Sequence, residues 1–353
     1  MPNRVEYVDV AKGIGIVLVV LGHNQIKATL PALTSFIYTF HMPMFFLLSG
    51  MFFRPTVRFF DLLRRRFHTI LQPYLVIIIL MYAAAFLFSE LDLSIILSRM
   101  AKAAYASGYW LDWAQLWFLP ALFAVNIFAW LFFKLIYGRL PALWMRLPLL
   151  LGMLWLGVTT LKFFLDYPVT LLGHSFSLPG LPFNLDLVLV LAAFFLLGYE
   201  TYQVVPEKFY ASWWVLALSG LVLVALNLIF PFKIDFFSRT YESFPINTLE
   251  AIAGSLFVLC LSKQIALRGG RLSQAFQYLG RVSLILLIFH GPIQIYSYEK
   301  LNDWLPNPYV LGILSFALAL GVPLLIYEWM IRPNPVVAAW FGMERKKSDE
   351  QTH

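Results

Sequence analysis

The first apolar stretch of the chain carries three ionisable side chains that share one side of a predicted helix. Lys12 and His23 are eleven positions apart, which is about three helical turns, and Asp9 lies one turn before Lys12. At a rise of about 1.5 Å per residue, the amine and the imidazole lie roughly 16 Å apart along the axis. Ionisable groups inside a membrane span are energetically costly, so this stripe predicts a functional site.

The chemistry that this stripe predicts is acid–base or nucleophilic. An imidazole at His23 suits a general base near neutral pH. A structural interpretation stays open, because Lys12 can extend to the interface and His23 can bond a neighbouring helix. Gly13 and Gly15 allow close approach of either a helix or a ligand.

Two further histidines occur in apolar segments. His41 opens FHMPMFFLLSG, which also contains Ser49, and it either forms a structural hydrogen bond or lines an active site. His290 closes LGRVSLILLIFH, which contains Arg281 and Ser283 near its other, polar end. A lone histidine of this kind is usually structural, but a similar one in the first span favours a shared site for His290.

A basic loop precedes the third apolar stretch. It contains Arg64, Arg65 and Arg66 in direct succession. Positive residues in such loops anchor the cytoplasmic side of a membrane protein. Guanidinium groups also bind phosphates through two parallel hydrogen bonds, so these residues are candidate phosphate ligands as well.

Membrane-spanning helices must position all of these residues. The 353 residues are 60% hydrophobic and only 13% charged, with a mean hydropathy of +0.75, which indicates an all-α polytopic membrane protein. The periodicity predicts about ten transmembrane helices. They lie near Val8–Asn24, Ser35–Phe53, Ile70–Ser89, Leu116–Tyr137, Leu143–Phe163, Phe183–Tyr199, Ser212–Phe230, Ile246–Leu261, Val282–Tyr298 and Tyr309–Ile331.

Lysine and arginine residues predict the orientation. With the N-terminus in the cytoplasm, 18 of the 26 fall in inner segments, so both termini are expected to be cytoplasmic. Residues 1–333 then form a single membrane domain of a multi-pass protein in the cell (inner) membrane, and residues 334–353 form a cytoplasmic tail. Asp9 and Lys12 are expected at the inner end of the first helix, with the histidines at middle to outer depth.

Several function classes lack support. The net charge of +7 comes from short loops between spans, so membrane orientation explains it and no nucleic-acid partner is expected. Cys260 is the single cysteine, which excludes a disulfide framework or a thiolate metal site, and no metal is expected. No Walker-type loop, HExxH or GxSxG motif is present.

Taken together, these motifs resemble acyltransferase family 3, and most closely its fucose 4-O-acetylase-like branch. The resemblance rests on Lys12 and His23 with Asp9 before them, on FHMPMFFLLSG, on LWFLPALF (Leu116–Phe123) and on LGRVSLILLIFH. The four motifs occur in the family's order between residues 6 and 290. Lys12 stands where many members have arginine, and Thr69, Ile70 and Leu71 stand where many have a second basic residue.

The resemblance implies transfer of an acyl group, usually acetyl, from cytoplasmic acyl-CoA to a hydroxyl of a glycan or lipid-linked sugar at the outer side. The family's essential histidine corresponds to His23 and its basic partner to Lys12. The predicted catalytic residues are His23, Asp9, His41 and His290. The predicted acetyl-CoA ligands are Lys12, Arg64, Arg65, Arg66, Arg281 and Ser283, and the predicted substrate-pocket residues are Ser49 and Trp117.

A transporter is the competing function class. In that case Asp9, Lys12 and His23 would form a proton or substrate pathway through the membrane. The sequence shows no internal repeat and no pair of interrupted helices at matching positions, which disfavours this class. Stabilisation by acetyl-CoA distinguishes the two, because a transporter of this kind has no reason to bind the nucleotide.

Overall fold

The computed structural model describes residues 5–171, 174–305 and 307–343, and these ranges are almost entirely helical. The helices are α1 Glu6–Gly22, α2 Pro31–Tyr38, α3 His41–Gly50, α4 Phe59–Arg66, α5 Gln72–Phe88, α6 Leu93–Tyr105, α7 Phe118–Leu135, α8 Leu143–Thr159, α9 Val188–Val204, α10 Glu207–Tyr210, α11 Trp213–Ile229, α12 Phe244–Arg268, α13 Gly270–Arg281, α14 Ser283–Asn302, α15 Pro308–Ile326 and α16 Pro335–Trp340. The strands are β1 Leu165–Leu171, β2 His174–Pro179, β3 Ile234–Asp235 and β4 Thr240–Tyr241.

The helices confirm an all-α polytopic membrane protein. Among the described residues, six helical segments are long and apolar enough to cross a membrane, and the bent pair α13–α14 makes a seventh. The six are Pro31–Gly50, Phe59–Phe88, Ala114–Arg139, Pro182–Val204, Phe244–Arg268 and Pro308–Ile331. The other three predicted spans coincide with α1, α8 and α11, which have 17 residues each. The total of ten and the cytoplasmic termini stay predictions.

Helix α9 lies at the centre of the bundle. Its residues 190–196 are all at most 4% exposed, and it packs against α3, α7 and α8. A helix that is apolar on every side, as the sequence VLAAFFL makes this one, can be buried among other helices. The helices that carry the candidate residues are therefore arranged around a fixed centre.

One predicted span, Ser35–Phe53, is interrupted, and another, Val282–Tyr298, begins at a sharp bend. The chain breaks at Phe40, between α2 and α3, and His41 becomes the first residue of α3. Its Nδ1 lies 2.9 Å from the Ile37 carbonyl oxygen, so the imidazole satisfies a backbone acceptor near this break. The sharp bend is at Val282, where α13 and α14 meet at 78°.

Helix α1 packs against α13 with almost no space between their backbones. A Cβ atom at Gly13 would lie 2.1 Å from the carbonyl oxygen of Phe276, and one at Gly280 would lie 1.9 Å from that of Asp9. Only glycine fits at both positions, since contacts this short are sterically impossible for any larger residue. This close crossing brings the end of α13 beside Asp9.

The bundle has two chemically different ends. One end, which we call the basic end, contains Tyr7, Tyr210, Glu207 and Lys263. There the Tyr7 and Tyr210 rings are 5.6 Å apart, and Lys263 forms an ion pair with Glu207. At the hairpin end, the loops 106–113, 165–187 and 233–241 meet, and each of the last two contains an antiparallel hairpin, β1–β2 and β3–β4. Short strands of this kind leave no helical period, so hydrophobic periodicity does not predict them.

The last described residues pack back onto the bundle. The Gln72 amide donates a hydrogen bond of 2.7 Å to the Ala339 carbonyl, next to the C-terminus of α16. Part of the predicted tail is therefore helical, and the division at residue 333 stays a prediction. Residues 1–4 and 344–353, which include Arg4 and Arg345–Lys347 from the orientation argument, lie outside the described residues.

Candidate functional site

A cavity of about 350 Å³ opens among α1, α3, α7, α14 and the segment that joins α4 to α5. Its volume falls in the range of small-molecule sites. Polar lining residues are Asp9, Lys12, Ser49, Arg66, Thr69, Arg281 and Ser283. Apolar lining residues are Ile16, Val19, Met42, Phe45, Leu48, Ile70, Phe118, Leu119, Leu122, Leu284 and Leu287, together with Gly280. Six of the predicted site residues therefore surround one space.

Helix α1 supplies one wall of this cavity through a single face. Asp9, Lys12, Ile16 and Val19 line it at spacings of three and four residues, and His23 follows Val19 by four. Asp9 is only 8% exposed, so its carboxylate is removed from solvent as the sequence pattern implies. The stripe that links the basic residue to the histidine is thus a continuous face of α1.

The three predicted histidines gather beyond the apolar part of the cavity. The ring centroids of His23 and His290 are 5.4 Å apart. Tyr38 lies between His23 and His41. The centroid of its ring is 6.4 Å from that of the His23 ring and 4.8 Å from that of the His41 ring. Side chains from α1, α2, α3 and α14 therefore form one cluster, which we call the histidine cluster (His23, Tyr38, His41 and His290).

Hydrogen bonds determine which nitrogen of two of these rings carries the proton. The Nδ1 atom of His41 lies 2.9 Å from the Ile37 carbonyl oxygen, and that of His290 lies 2.9 Å from the carbonyl oxygens of both Leu286 and Leu287. A carbonyl oxygen only accepts, so each Nδ1 donates and each neutral ring keeps its lone pair at Nε2. The Nε2 atom of His290 is buried without a partner among the described residues.

His23 differs from the other two histidines. It caps the C-terminus of α1 and is half-buried, and its ring has no hydrogen bond to any described residue. Both of its nitrogens are therefore available to a substrate, whereas His41 and His290 each bond to a helix backbone through Nδ1. Among the three, His23 is best placed to exchange a proton or form a covalent bond.

Of the three consecutive arginines, only Arg66 lines the cavity. Arg66 is half-buried and lines the cavity, and its Nε is buried without a hydrogen-bond partner in the described part of the chain. Arg64 and Arg65 are exposed and do not line the cavity. The phosphate-binding roles of Arg64 and Arg65 stay predictions that this cavity does not support.

A π-helical stretch, Phe67–Leu71, follows Arg66 directly. Such turns are rare and are often found at functional sites. Thr69 and Ile70, two residues of this stretch, line the cavity. Arg66, one turn earlier, supplies a positive charge to this wall.

The remaining predicted residues differ in their positions. Arg281 and Ser283 line the cavity on either side of the 78° bend, and Ser49 lines it with its hydroxyl donating to the Phe45 carbonyl at 2.8 Å. Trp117 is buried beside Phe118 and does not line the cavity. Its carbonyl accepts a hydrogen bond from Asn184, which ties it to the hairpin end.

The sequence argument missed two contributors. Tyr38 lies within the histidine cluster, and Gln115 fixes α14 beside it by donating to the Ile288 carbonyl at 3.0 Å. Helical spacing was the available signal for the apolar lining, since Phe45 lies three residues after Met42 and four before Ser49. No local signal pointed to Tyr38, because the break at Phe40 determines its position.

A second cavity, of about 440 Å³, lies at the basic end beside the start of α1. Glu6, Glu207 and Lys263 are its charged residues, and Lys263 is paired with Glu207. This charge balance disfavours a polyphosphate ligand, despite the larger volume. Among the described residues, no group of three His, Cys, Asp or Glu side chains converges to hold a metal ion.

The family model of an acyltransferase domain matches residues 5–328, which is nearly the whole chain. The chain belongs to acyltransferase family 3. The matched range includes every predicted site residue and every residue that lines the cavity. Comparison with curated proteins and with solved structures gave no match. The narrower resemblance to the fucose 4-O-acetylase-like branch stays a prediction.

Proposed function

We propose that this acyltransferase moves an acetyl group from acyl-CoA, bound at the basic end, to a hydroxyl of a glycan or lipid-linked sugar that enters from the hairpin end. The reaction takes place in the cell (inner) membrane. One observation carries the proposal: a single cavity has basic residues at one end and leads along the Lys12 face of α1 towards His23. Membership of an acyltransferase family supports this over transport.

The basic residues would bind the phosphates of the donor. Lys12, Arg66 and Arg281 line the same cavity and come from three different helices. The planar guanidinium group of arginine suits bidentate phosphate binding, while lysine contributes a point charge. Ser283 is the first residue of α14, so backbone N–H groups of that helix terminus are also available to an anion.

The apolar lining would hold the pantetheine arm. Ile16 and Val19 from α1 face the cavity together with Phe45 and Leu287 from α3 and α14. These side chains exclude water between the charged mouth and the histidine cluster. A thioester that follows them along α1 reaches the level of His23, one turn beyond Val19.

At His23, the reaction needs a proton acceptor. In direct transfer, His23 takes the proton of the acceptor hydroxyl as its oxygen attacks the thioester carbonyl carbon, and the C–S bond breaks. The imidazolium then returns the proton to the departing thiolate. In the alternative route, a His23 nitrogen attacks the thioester carbonyl carbon first, the C–S bond breaks, and the CoA thiolate leaves with the imidazole proton. The acceptor hydroxyl then attacks the acyl-imidazole, the C–N bond breaks, and the hydroxyl proton returns to the imidazole. His41 and His290 would hold the site's shape, and Asp9 would orient Lys12.

The decisive experiment is replacement of His23. We expect His23→Ala to lower the rate of acetyl transfer by about 10²-fold to 10⁴-fold, since general-base catalysis contributes that much. Acetyl-CoA should still raise the unfolding temperature in detergent, because the phosphate ligands are intact. The matched control is His68→Ala, since His68 is exposed and bonded to Gln72 outside the cavity. Normal transfer by a correctly folded His23→Ala variant would refute the mechanism.

The two routes can be separated by leaving out the acceptor. The wild-type protein is incubated with acetyl-CoA labelled in the acetyl group and is then denatured. Label that stays on the protein and is absent from His23→Ala indicates the acyl-histidine route. Absence of label on a protein that turns over normally with acceptor indicates direct transfer.

A further inference from the structure

The loop Ile234–Tyr241 at the hairpin end is held by a buried ionic network. Arg239 has no exposed surface, and its Nε lies 2.8 Å from the Asp186 carboxylate. Its terminal nitrogens donate to Asn184 and to the Phe237 carbonyl at 3.0 and 2.9 Å. A guanidinium with partners on all sides is immobile, so this loop is a rigid part of the fold.

The backbone of the loop supports this rigidity. Arg239 adopts a positive φ of 52°, a conformation that a non-glycine residue takes up only when its surroundings enforce it. β3 and β4 pair Asp235 with Thr240 on either side of the turn. Ile234 and Phe236 are at most 1% exposed, so the residues that flank Asp235 anchor it from both sides.

The Asp235 carboxylate is not part of this ionic network. Its Oδ1 accepts from the backbone N–H groups of Phe237 and Ser238, at 3.1 and 3.3 Å. Its Oδ2 accepts no hydrogen bond from the described residues. The carboxylate is half-buried, and an ionised carboxylate can accept about four hydrogen bonds, so capacity for a ligand is left.

The position of Asp235 links the surface to the histidine cluster. On the inward side, its carboxylate is close enough to act electrostatically on both Tyr38 and His41. On the outward side, burial raises the pKa of Tyr109, Arg239 opposes this, and Asp235 raises the pKa further. Asp235 therefore interacts electrostatically both with the buried cluster and with a tyrosine that is 45% exposed.

Aromatic rings lie on the outward side of Asp235. The rings of Tyr109 and Phe237 are 4.8 Å apart, and the Arg239 guanidinium lies 5.7 Å from the Tyr109 ring. Aromatic side chains with one exposed edge offer a flat apolar surface beside polar groups. Such a surface suits the C–H face of a sugar ring, whose hydroxyl groups point outward from its edge.

We propose that Asp235 is an acceptor-binding residue, which accepts hydrogen bonds from two adjacent hydroxyls of a sugar whose ring packs against Tyr109 and Phe237. This inference rests on the proposed function, because it assumes that the acceptor approaches His23 from the hairpin end. Arg239 is a positioning residue, which acts through the loop that carries Asp235. A simple alcohol without a vicinal diol would gain nothing from Asp235.

The test compares sugar acceptors with a simple alcohol. The full-length protein in liposomes receives labelled acetyl-CoA and either a panel of methyl hexopyranosides or 1-butanol. Asp235→Asn keeps an oxygen that can accept from Phe237 and Ser238, and it replaces the second carboxylate oxygen with an NH2 group, which removes the charge and one acceptor. We expect this variant to raise KM for the hexopyranosides about tenfold to a hundredfold, the range for a hydrogen bond to a charged group. The KM for butanol, which has no vicinal diol, should be unchanged.

The matched control is Asp166→Asn. Asp166 also acts electrostatically on Tyr109, but it is exposed and is not among the groups that act on Tyr38 or His41. Its φ of 56° is one that asparagine tolerates, so the loop should not be disturbed. We expect its KM values to match those of the wild-type protein.

Three results would overturn the inference. The first is an unchanged hexopyranoside KM in Asp235→Asn, and the second is an equal loss with hexopyranosides and butanol. The third is a wild-type protein that acetylates butanol and none of the sugars, which would exclude the sugar class. A wild-type protein that is not stabilised by acetyl-CoA and transfers to no alcohol would instead refute the proposed function itself.

Discussion

Arg239 at the hairpin end and Arg66 at the basic end are both withdrawn from solvent, but their surroundings differ. The guanidinium of Arg239 is bonded to Asp186, Asn184 and a backbone carbonyl. Arg66 lines a cavity, and its buried Nε has no partner among the described residues. Each buried polar group of a native protein normally has a partner, so an exception calls for an explanation.

The difference separates two uses of one residue type. A guanidinium with all its donors bonded inside the protein stabilises the fold and has nothing to offer a ligand. A guanidinium with an unbonded donor at a cavity is available for an external anion. The same chemistry thus predicts loss of stability at one end and loss of donor affinity at the other.

The largest expected effect is the loss of Arg239. Arg239→Met leaves the fully buried Asp186 carboxylate without its counter-charge, and breaking a buried pair in this way costs about 3–5 kcal/mol. We expect a clear fall in the unfolding temperature, measured in detergent without ligand. The matched control is Arg99→Met, because the Arg99–Asp112 pair is about 40% exposed and such pairs contribute about 0–1 kcal/mol. Equal losses in the two variants would contradict the comparison.

Arg66→Gln should weaken donor binding without lowering stability, which is the reverse of what we expect for Arg239→Met. We expect the dissociation constant for acetyl-CoA to rise about tenfold to a hundredfold, the range for one charge-assisted hydrogen bond. Without ligand, the unfolding temperature should not fall, because the wild-type Nε is unbonded. Titration of acetyl-CoA against the unfolding temperature measures both quantities. Arg54→Gln, an exposed arginine away from the cavity, should change neither; a fall in stability for Arg66→Gln alone would show that Arg66 is structural.

A smaller effect is expected where α1 crosses α13. Gly280→Ala places a Cβ against the Asp9 carbonyl, so the helices must separate at a cost of about 1–3 kcal/mol. Because Asp9 and Gly280 both line the cavity, acetyl-CoA affinity should fall as well. Gly152→Ala on α8 has no atom within 4 Å of the new Cβ and should stabilise the protein by about 0.5–1 kcal/mol. Thermal unfolding of both variants checks this, and identical shifts would contradict it.

The smallest expected effect is that of salt. Raising ionic strength from about 0.1 to about 0.5 M should weaken acetyl-CoA binding several-fold, because the basic residues lie at an accessible mouth. Stability that depends on Arg239 should hardly change, since its ion pair is fully buried. Arg66→Gln should show a weaker salt dependence of binding than the wild-type protein. A salt dependence that is the same in both would place the phosphates elsewhere.

Local periodicity was sufficient to predict one wall of the site. Asp9, Lys12 and His23 lie on one face of α1 because a single uninterrupted helix fixes their relative positions. The class of the fold followed from the apolar composition for a similar reason, since every span must satisfy its own backbone.

Features that depend on distant parts of the chain could not be predicted. The choice of Arg66 over Arg64 and Arg65 depends on how α4 enters a π-helical stretch. The place of Tyr38 depends on a break at Phe40. The partners of Arg239 lie between 53 and 132 residues away along the chain, apart from the Phe237 carbonyl. No pattern of apolar residues encodes contacts of that kind.

The contact between Gly13, Gly280 and their opposing backbones has a consequence for the range of acyl donors. Main-chain atoms in direct contact have no rotamers to rearrange, so the spacing of α1 and α13 is fixed. Chain-length selectivity must therefore be set by the side chains deeper in the cavity, such as Met42, Phe45 and Leu287. Adaptation of the enzyme to longer acyl groups would proceed by trimming these residues.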